Sequence, residues 1–197
     1  QIMSVAIVGL LLIGLSQHAL SGTCPNPPGA SNYTNSIFNK LWYEIGKIQT
    51  FGGGIFESDC VCTNINVKFD SLTNIDSNAT VANKCNKLTP NGKIQEAISQ
   101  IYPLNKGQSN GKFLEKFTDP NTGTIVNYNV IFLSDTAAVE YDCGGNEYIN
   151  YCFHVLSSTP TMSQNEVNLL LQLVDQYQLN PNGLPFKYTN QTGCIYQ

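Results

Sequence analysis

Side chains able to do covalent or metal chemistry are few in this chain: seven cysteines and two histidines among 197 residues. Cys60 and Cys62 form a C-x-C pair, and Cys152 stands two residues before His154, while Cys24, Cys85, Cys143 and Cys194 are isolated. A C-x-C pair with a lone histidine hints at zinc. A closed zinc site needs four donors at defined spacings, however, and this ligand set is poor. No metal is expected. Cys152 can be read as a nucleophile, as the partner in an intermolecular disulfide, or as a buried inert thiol, and the last is the plainest reading. No catalytic residue is assigned, and the chain is not read as an enzyme.

The compartment decides what the other cysteines do. The opening "MSVAIVGLLLIGLSQHALSG" has an apolar core, Val5 to Leu15, followed by small residues. That core is shorter than the roughly 20 residues a membrane-spanning helix needs. It reads as a secretory signal peptide over residues 1–21, cut near Ser21 or Gly22, with a single domain over 22–197. The basic residue usual before such a core is missing. No second long apolar run follows, so a soluble, secreted, extracellular protein without a membrane span is expected. In that setting the cysteines are mostly paired. Three glycosylation sequons, at Asn32, Asn78 and Asn190, fit the same route.

Charge excludes one class of partner. Only 12% of residues are charged, about half the usual share, the net charge is −4, and all ten basic residues are lysines. Without arginine or a lysine cluster, nucleic acid is not an expected partner.

The elements that must position these residues are mostly strands. "CVCTNINVKF" puts Val61, Ile65, Val67 and Phe69 on one face, with Cys60, Cys62, Asn64 and Lys68 on the other, the period of a half-buried strand. "ATVANKCNKL", "KIQEAISQIY", "KFLEKF", "TIVNYNVIFL", "TAAVEYDC" and "EYINYCFHVLS" continue the series between turn signals. An all-β sandwich or barrel follows, and a closed barrel removes the exposed edges of an open sheet. Then "TMSQNEVNLLLQLVDQYQLNPNG" changes the period. Ser163 and Glu166 form a capping-box signature, and Val167, Leu170, Leu171, Val174 and Tyr177 share one helical face. A helix over about 164–178 is predicted, with a short closing strand "PFKYTN".

The chain's single tryptophan, Trp42, lies in "WYEIGKI", which resembles the first-strand motif of the lipocalins, in particular the apolipoprotein D-like and insect bilin-binding branch. "IFLSDTAAVEYDC" is similar to the second lipocalin motif, "VLSSTP" to the third, and "YTNQTGC" to the closing segment of that branch. The resemblance spans roughly residues 24–197 and rests on the order and spacing of the motifs together. It implies an eight-stranded antiparallel up-and-down barrel with one α-helix packed outside. Two positions depart from the pattern: Lys40 stands at the motif glycine, and Ser158 at the arginine that lies over the tryptophan. Lys40 or an aromatic must then cover Trp42, which is expected to plug the barrel's closed end. The resemblance also implies bridges Cys24–Cys143 and Cys60–Cys194. Cys62–Cys85 is a plausible third, across the turn at 71–78.

A lipocalin barrel implies a carrier of a small hydrophobic ligand: a fatty acid, a retinoid- or sterol-like molecule, or a bilin pigment. No cofactor is required, although a bilin or lipid would travel as bound cargo. A bilin's propionates would want cations, and the lack of arginine weakens that choice. Thiol-dependent isomerase chemistry at Cys152, and a protein-binding lipocalin with a plugged cavity, are the alternatives. Expected ligand contacts are Val67, Phe69, Tyr128, Phe132, Tyr141 and Leu156, with Glu44, His154 or tyrosines as polar anchors. For the strand at 147–157, apolarity sends Ile149, Tyr151, Phe153 and Val155 inward. The register counted back from Ser158 sends Leu156, His154 and Cys152 inward, and that reading is preferred. The loop "FGGGIF", residues 51–56, is expected to form a mobile, greasy lid over the mouth.

Overall fold

The computed structural model describes residues 23–108, 110–118, 125–144 and 150–196. The expected signal peptide lies outside them. A short helix α1 (Asn35–Phe38) leads into β1 (Leu41–Gln49), and then β2 (Cys60–Phe69), β3 (Ala79–Lys87), β4 (Ile94–Pro103), β5 (Lys112–Phe117), β6 (Ile125–Leu133), β7 (Ala137–Gly144) and β8 (Asn150–Ser157) follow. The helix α2 (Gln164–Gln176) and a two-residue strand β9 (Lys187–Tyr188) complete the fold. Successive strands pair antiparallel, β8 returns to β1, and β1 pairs with β2, so the sheet closes into an eight-stranded up-and-down barrel. The predicted barrel and outer helix are both present.

Closure between β1 and β2 is brief. Only Leu41, Trp42 and Tyr43 pair there, with Asn66, Ile65 and Asn64. Beyond them β1 turns its free edge to β9, Gly46 opposite Tyr188 and Lys47 opposite Lys187. The Gln191 amide then bridges the gap, donating to the Glu44 carbonyl at 2.7 Å and the Thr63 carbonyl at 2.8 Å. A Cβ on Gly46 would sit 2.5 Å from the Phe186 ring, so the close pass of this tail requires a glycine.

Three bulges decide which way side chains point. Ile45 is extra in β1 against β8. In β2, two residues between Val61 and Asn64 face one of β3, and Cys62 takes a positive φ of 58°. In β6 the register shifts between Val130 and Phe132. Each bulge offsets the period of two and turns the following row over.

The bulge in β2 corrects the cysteine pairing. Regular alternation puts Cys60 and Cys62 on one face, but the offset carries Cys60 to the side of Cys85. The bridges are Cys24–Cys143, Cys60–Cys85 and Cys62–Cys194. The expected Cys60–Cys194 and Cys62–Cys85 pairs have exchanged partners. Cys152 is free and buried.

Two apolar layers hold the fold. Inside, Trp42 packs with Phe38, Ile65, Val67, Tyr128, Leu133 and Leu156 at the closed end. Its indole Nε1 donates to the Phe38 carbonyl at 3.0 Å, and Lys40 Nζ lies 5.0 Å above its ring. The lysine thus takes the covering place left open by Ser158. Outside, Val167, Leu170 and Val174 of α2 cover Ile48, Val139, Tyr141, Tyr151, Phe153 and Val155. Burying each such side chain contributes about 1.5–3 kcal/mol. The capping box forms as read: the Glu166 amide donates to Ser163 Oγ, and the Ser163 amide to the Glu166 carboxylate at 3.0 Å.

Candidate functional site

The open end of the barrel holds a cavity of about 900 Å³. The loop between β1 and β2 roofs it through Gly52, Gly53, Gly54 and Phe56, and Phe117 meets Phe56 edge-to-face at 6.4 Å between centroids. This loop is less free than its three glycines suggest. A Cβ on Gly53 would lie 2.0 Å from the Tyr151 carbonyl oxygen, so the glycine allows close packing on β8. Phe51 points to solvent, 87% exposed, and takes no part in a lid.

Below the roof the walls become polar. Alternation along β1, β5, β7 and β8 sends Lys47, Glu115, Glu140, Asp142 and His154 inward, and the loop inserts Glu57 from above. Glu44 joins them at the seam of β1. Two of these acids are paired. Lys47 Nζ lies 3.2 Å from Glu44 and 2.5 Å from Glu57. His154 Nδ1 lies 2.7 Å from the other Glu44 oxygen. The Thr189 hydroxyl also donates to Glu44, and the Asn83 amide donates to Glu57. Burial alone would raise the Glu44 carboxyl, but Lys47 and His154 outweigh it and hold it at about 2. Burial likewise opposes the Lys47 charge, and Glu44 and Glu57 overcome it, keeping the ammonium well above its usual range.

His154 follows the same logic. Burial opposes its charge, while the Cys152 sulfur, Glu57 and the Glu44 hydrogen bond push its pKa well above the usual value. Burial raises the Cys152 thiol too. The sulfur is then uncharged near neutral pH, and the carboxylates carry the effect on the imidazole.

Glu115, Glu140 and Asp142 have no ion-pair partner among the described residues. Burial pushes Glu115 up to about 8, Asp142 well above its usual range, and Glu140 above its own. The Ser99 hydroxyl donates to Glu115 at 2.5 Å, and the Tyr128 hydroxyl to Glu140 at 2.7 Å. Glu140 and Asp142 lie within hydrogen-bonding reach of each other. Two carboxyls so placed share a proton rather than both ionise.

Two donor sets are close enough to hold a cation: Glu57, Cys152 and His154, and Glu140, Asp142 and His154, each with ligand atoms within 4.8 Å of one another. Both depend on His154. Glu44 engages only the ring's Nδ1, so a metal would have to displace the proton on the other ring nitrogen.

The expected ligand contacts are dispersed. His154 lines the cavity. Glu44 sits beneath it as the partner of His154 and Lys47. Val67, Tyr128 and Leu156 are fully buried in the Trp42 layer, with Phe69 packed against that layer. Phe132 and Tyr141 are corrected: both face outward in the layer under α2. The bulge after Val130 turns Phe132 over. On β7 the apolar row serves the helix, so Ala138, Glu140 and Asp142 form the inner row. On β8 Leu156, His154 and Cys152 face inward, and Phe153 lies under the helix. Lys47, Glu57, Asn83, Glu115, Glu140 and Asp142 were not anticipated. The spacing Phe113–Glu115–Phe117 does carry a signal for Glu115.

No family model matches the sequence, and no curated protein sequence matches it. Solved structures do match. Insecticyanin from the tobacco hornworm Manduca sexta superposes with a TM-score of 0.66 at 18% identity, over 89% of this chain and 91% of that one. Lobster apocrustacyanin A1 gives 0.61 at 11% identity, over 87% and 94%. Apocrustacyanin C1 gives 0.62 at 12% identity, over 81% of each chain. At such identities the likeness is one of fold, and the fold of this chain is the lipocalin barrel.

Proposed function

We propose that this chain is a secreted carrier that holds a small molecule with an apolar body in the open end of its barrel. The observation that carries the reading is the cavity of about 900 Å³, roofed by the Phe56 loop and lined beneath it by Phe117 and Ile98 among others. Such a volume matches small-molecule sites in general, and it counts against a plugged scaffold. Three disulfides and the leader-like opening support secretion. No helix among the described residues is long and apolar enough to cross a membrane.

The lining sorts the candidate ligands. A fatty acid or a bilin brings carboxylates, which meet Glu115, Glu140 and Asp142 at depth. Either would have to keep its acid groups at the mouth. A retinoid- or sterol-like molecule brings no such conflict. Thiol catalysis at Cys152 is poorly supported, because burial holds that thiol in its unreactive protonated form. Native mass spectrometry of protein taken from its source tests the reading. A bound mass of a few hundred daltons is expected, and visible colour would single out a bilin. A mass equal to the bare chain, together with failure of a varied apolar panel to bind, would overturn it.

A further inference from the structure

The polar half of the cavity asks for a particular partner. Its charges do not balance. Lys47 and His154 are consumed by Glu44 and Glu57. From β5 and β7, Glu115, Glu140 and Asp142 face the same space. Ser99 on β4, Tyr128 on β6 and Asn83 on β3 face them without charge, and the cationic neighbour among the described residues is His154 on β8, opposite Glu140 and already paired with Glu44. Glu96, at the rim, is tied to Lys84 at 3.3 Å.

The unpaired hydrogen-bonding atoms form a second, independent observation. Two cavity-lining residues carry a buried polar atom without a partner, Asn83 Oδ1 and Asp142 Oδ1. Both are acceptors. The Asn83 assignment is fixed by its neighbour, since its Nδ2 must be the atom that donates to the Glu57 carboxylate. Buried polar groups are nearly always satisfied, and here what is missing is N–H.

We propose that the cavity takes an organic ammonium ion, with its apolar body beneath the Phe56–Phe117 pair and its cationic nitrogen among Glu115, Glu140, Asp142 and the Asn83 carbonyl oxygen. An ammonium supplies several donors and the missing positive charge together. A bare divalent metal would have to displace a proton from His154, whose charge Glu44 stabilises, whereas an ammonium leaves that pair intact. This inference rests on the carrier reading and adds the chemical class of the cargo. Without a bound cation, burial pushes all three carboxyls up, and Glu140 and Asp142 share a proton. Binding the cation expels protons from them, so affinity should rise as pH rises from about 6 to 8.5.

The test uses one fluorescent body with three ends: dansylcadaverine (cationic), N-butyl dansylamide (neutral) and dansyl-5-aminopentanoate (anionic). The amine should bind at least about tenfold more tightly than the neutral probe at pH 8, and the anion most weakly. Calorimetry in buffers of differing ionisation heat should show net proton release for the amine. Glu140→Gln and Asp142→Asn should each cut the amine-to-neutral affinity ratio about tenfold. Because that is a ratio, it is unaffected by a fall in the fraction of folded protein. Equal affinity for the amine and neutral probes overturns the inference and leaves the carrier reading standing. Binding of none of the three overturns both. Tight binding of zinc chloride with no amine preference overturns it in favour of a metal site.

Discussion

His154 Nδ1 and the Glu44 carboxylate lie 2.7 Å apart, both buried, and they join β8 to β1 at the point where β1 leaves β2. An ion pair in this position is costly to break by halves, because the remaining charge stays buried.

His154→Ala is therefore expected to destabilise by about 3–5 kcal/mol at pH 6, read by urea unfolding. The pH dependence has a definite sign. Glu44 is depressed to about 2, so its contribution is present above its ordinary 4.5 and lost as pH falls toward 2. His154 is raised, so its contribution is full below 6.5 and lost as pH rises through the elevated value. The loss caused by the substitution should be greatest between about pH 4.5 and 6.5. A loss that does not change with pH would show that the pair acts by packing alone.

Glu115 has the opposite sign. Its pKa is raised to about 8, so the folded state holds a proton that the unfolded state gives up, and stability falls as pH climbs from 4.5 to 8. Glu115→Gln keeps an acceptor for Ser99 and removes the titration. It should stabilise by about 2–5 kcal/mol at pH 8 and by little at pH 4. Thermal melts at the two pH values check this, and equal shifts at both would refute it.

At the closed end, Trp42→Ala should cost about 3–5 kcal/mol, as expected for a large buried aromatic, with little change in ligand preference. Lys40→Met removes the cation above the ring and its hydrogen bond to the Asp135 carbonyl and should cost about 1–2 kcal/mol. Lost ligand binding at unchanged stability would make Trp42 a contact residue.

Gly46→Ala should detach the tail, because the added methyl would meet Phe186 and the Lys187 carbonyl. Hydrogen exchange at Thr189, whose amide donates to the Ile45 carbonyl, should speed up by an order of magnitude or more, which corresponds to about 1.4 kcal/mol of lost local stability. The Cys62–Cys194 bridge should still form. Unchanged exchange would show that the tail accommodates the methyl by shifting.

The barrel, the helix and its cap were legible because they rest on periodicity: alternating rows, then one amphipathic face with Ser163 and Glu166 at its start. Much of what escaped traces to the bulges at Ile45, Cys62 and Ile131. No residue type marks them, yet each offset sends a row to the other side. Cys60 and Cys62 exchanged partners for that reason, and Phe132 left the interior. The assumption that the greasier row faces inward failed on β7, where α2 competes for Val139 and Tyr141. A barrel with an outer helix has two interiors, and hydrophobicity alone does not say which one a row belongs to.

The narrow seam of β1 has a consequence for how the chain is made. Beyond Tyr43, the edge of β1 is completed by residues 187–191, and Gln191 reaches back to Glu44 across 147 positions. At about 5–20 residues per second on the ribosome, that edge stands open for roughly 7–30 seconds after Glu44 is made. The first strand synthesised is thus among the last to be finished. During translation its bare amides and carbonyls offer a template to any other nascent strand, so each chain stays open to strand addition until the segment that covers this edge emerges.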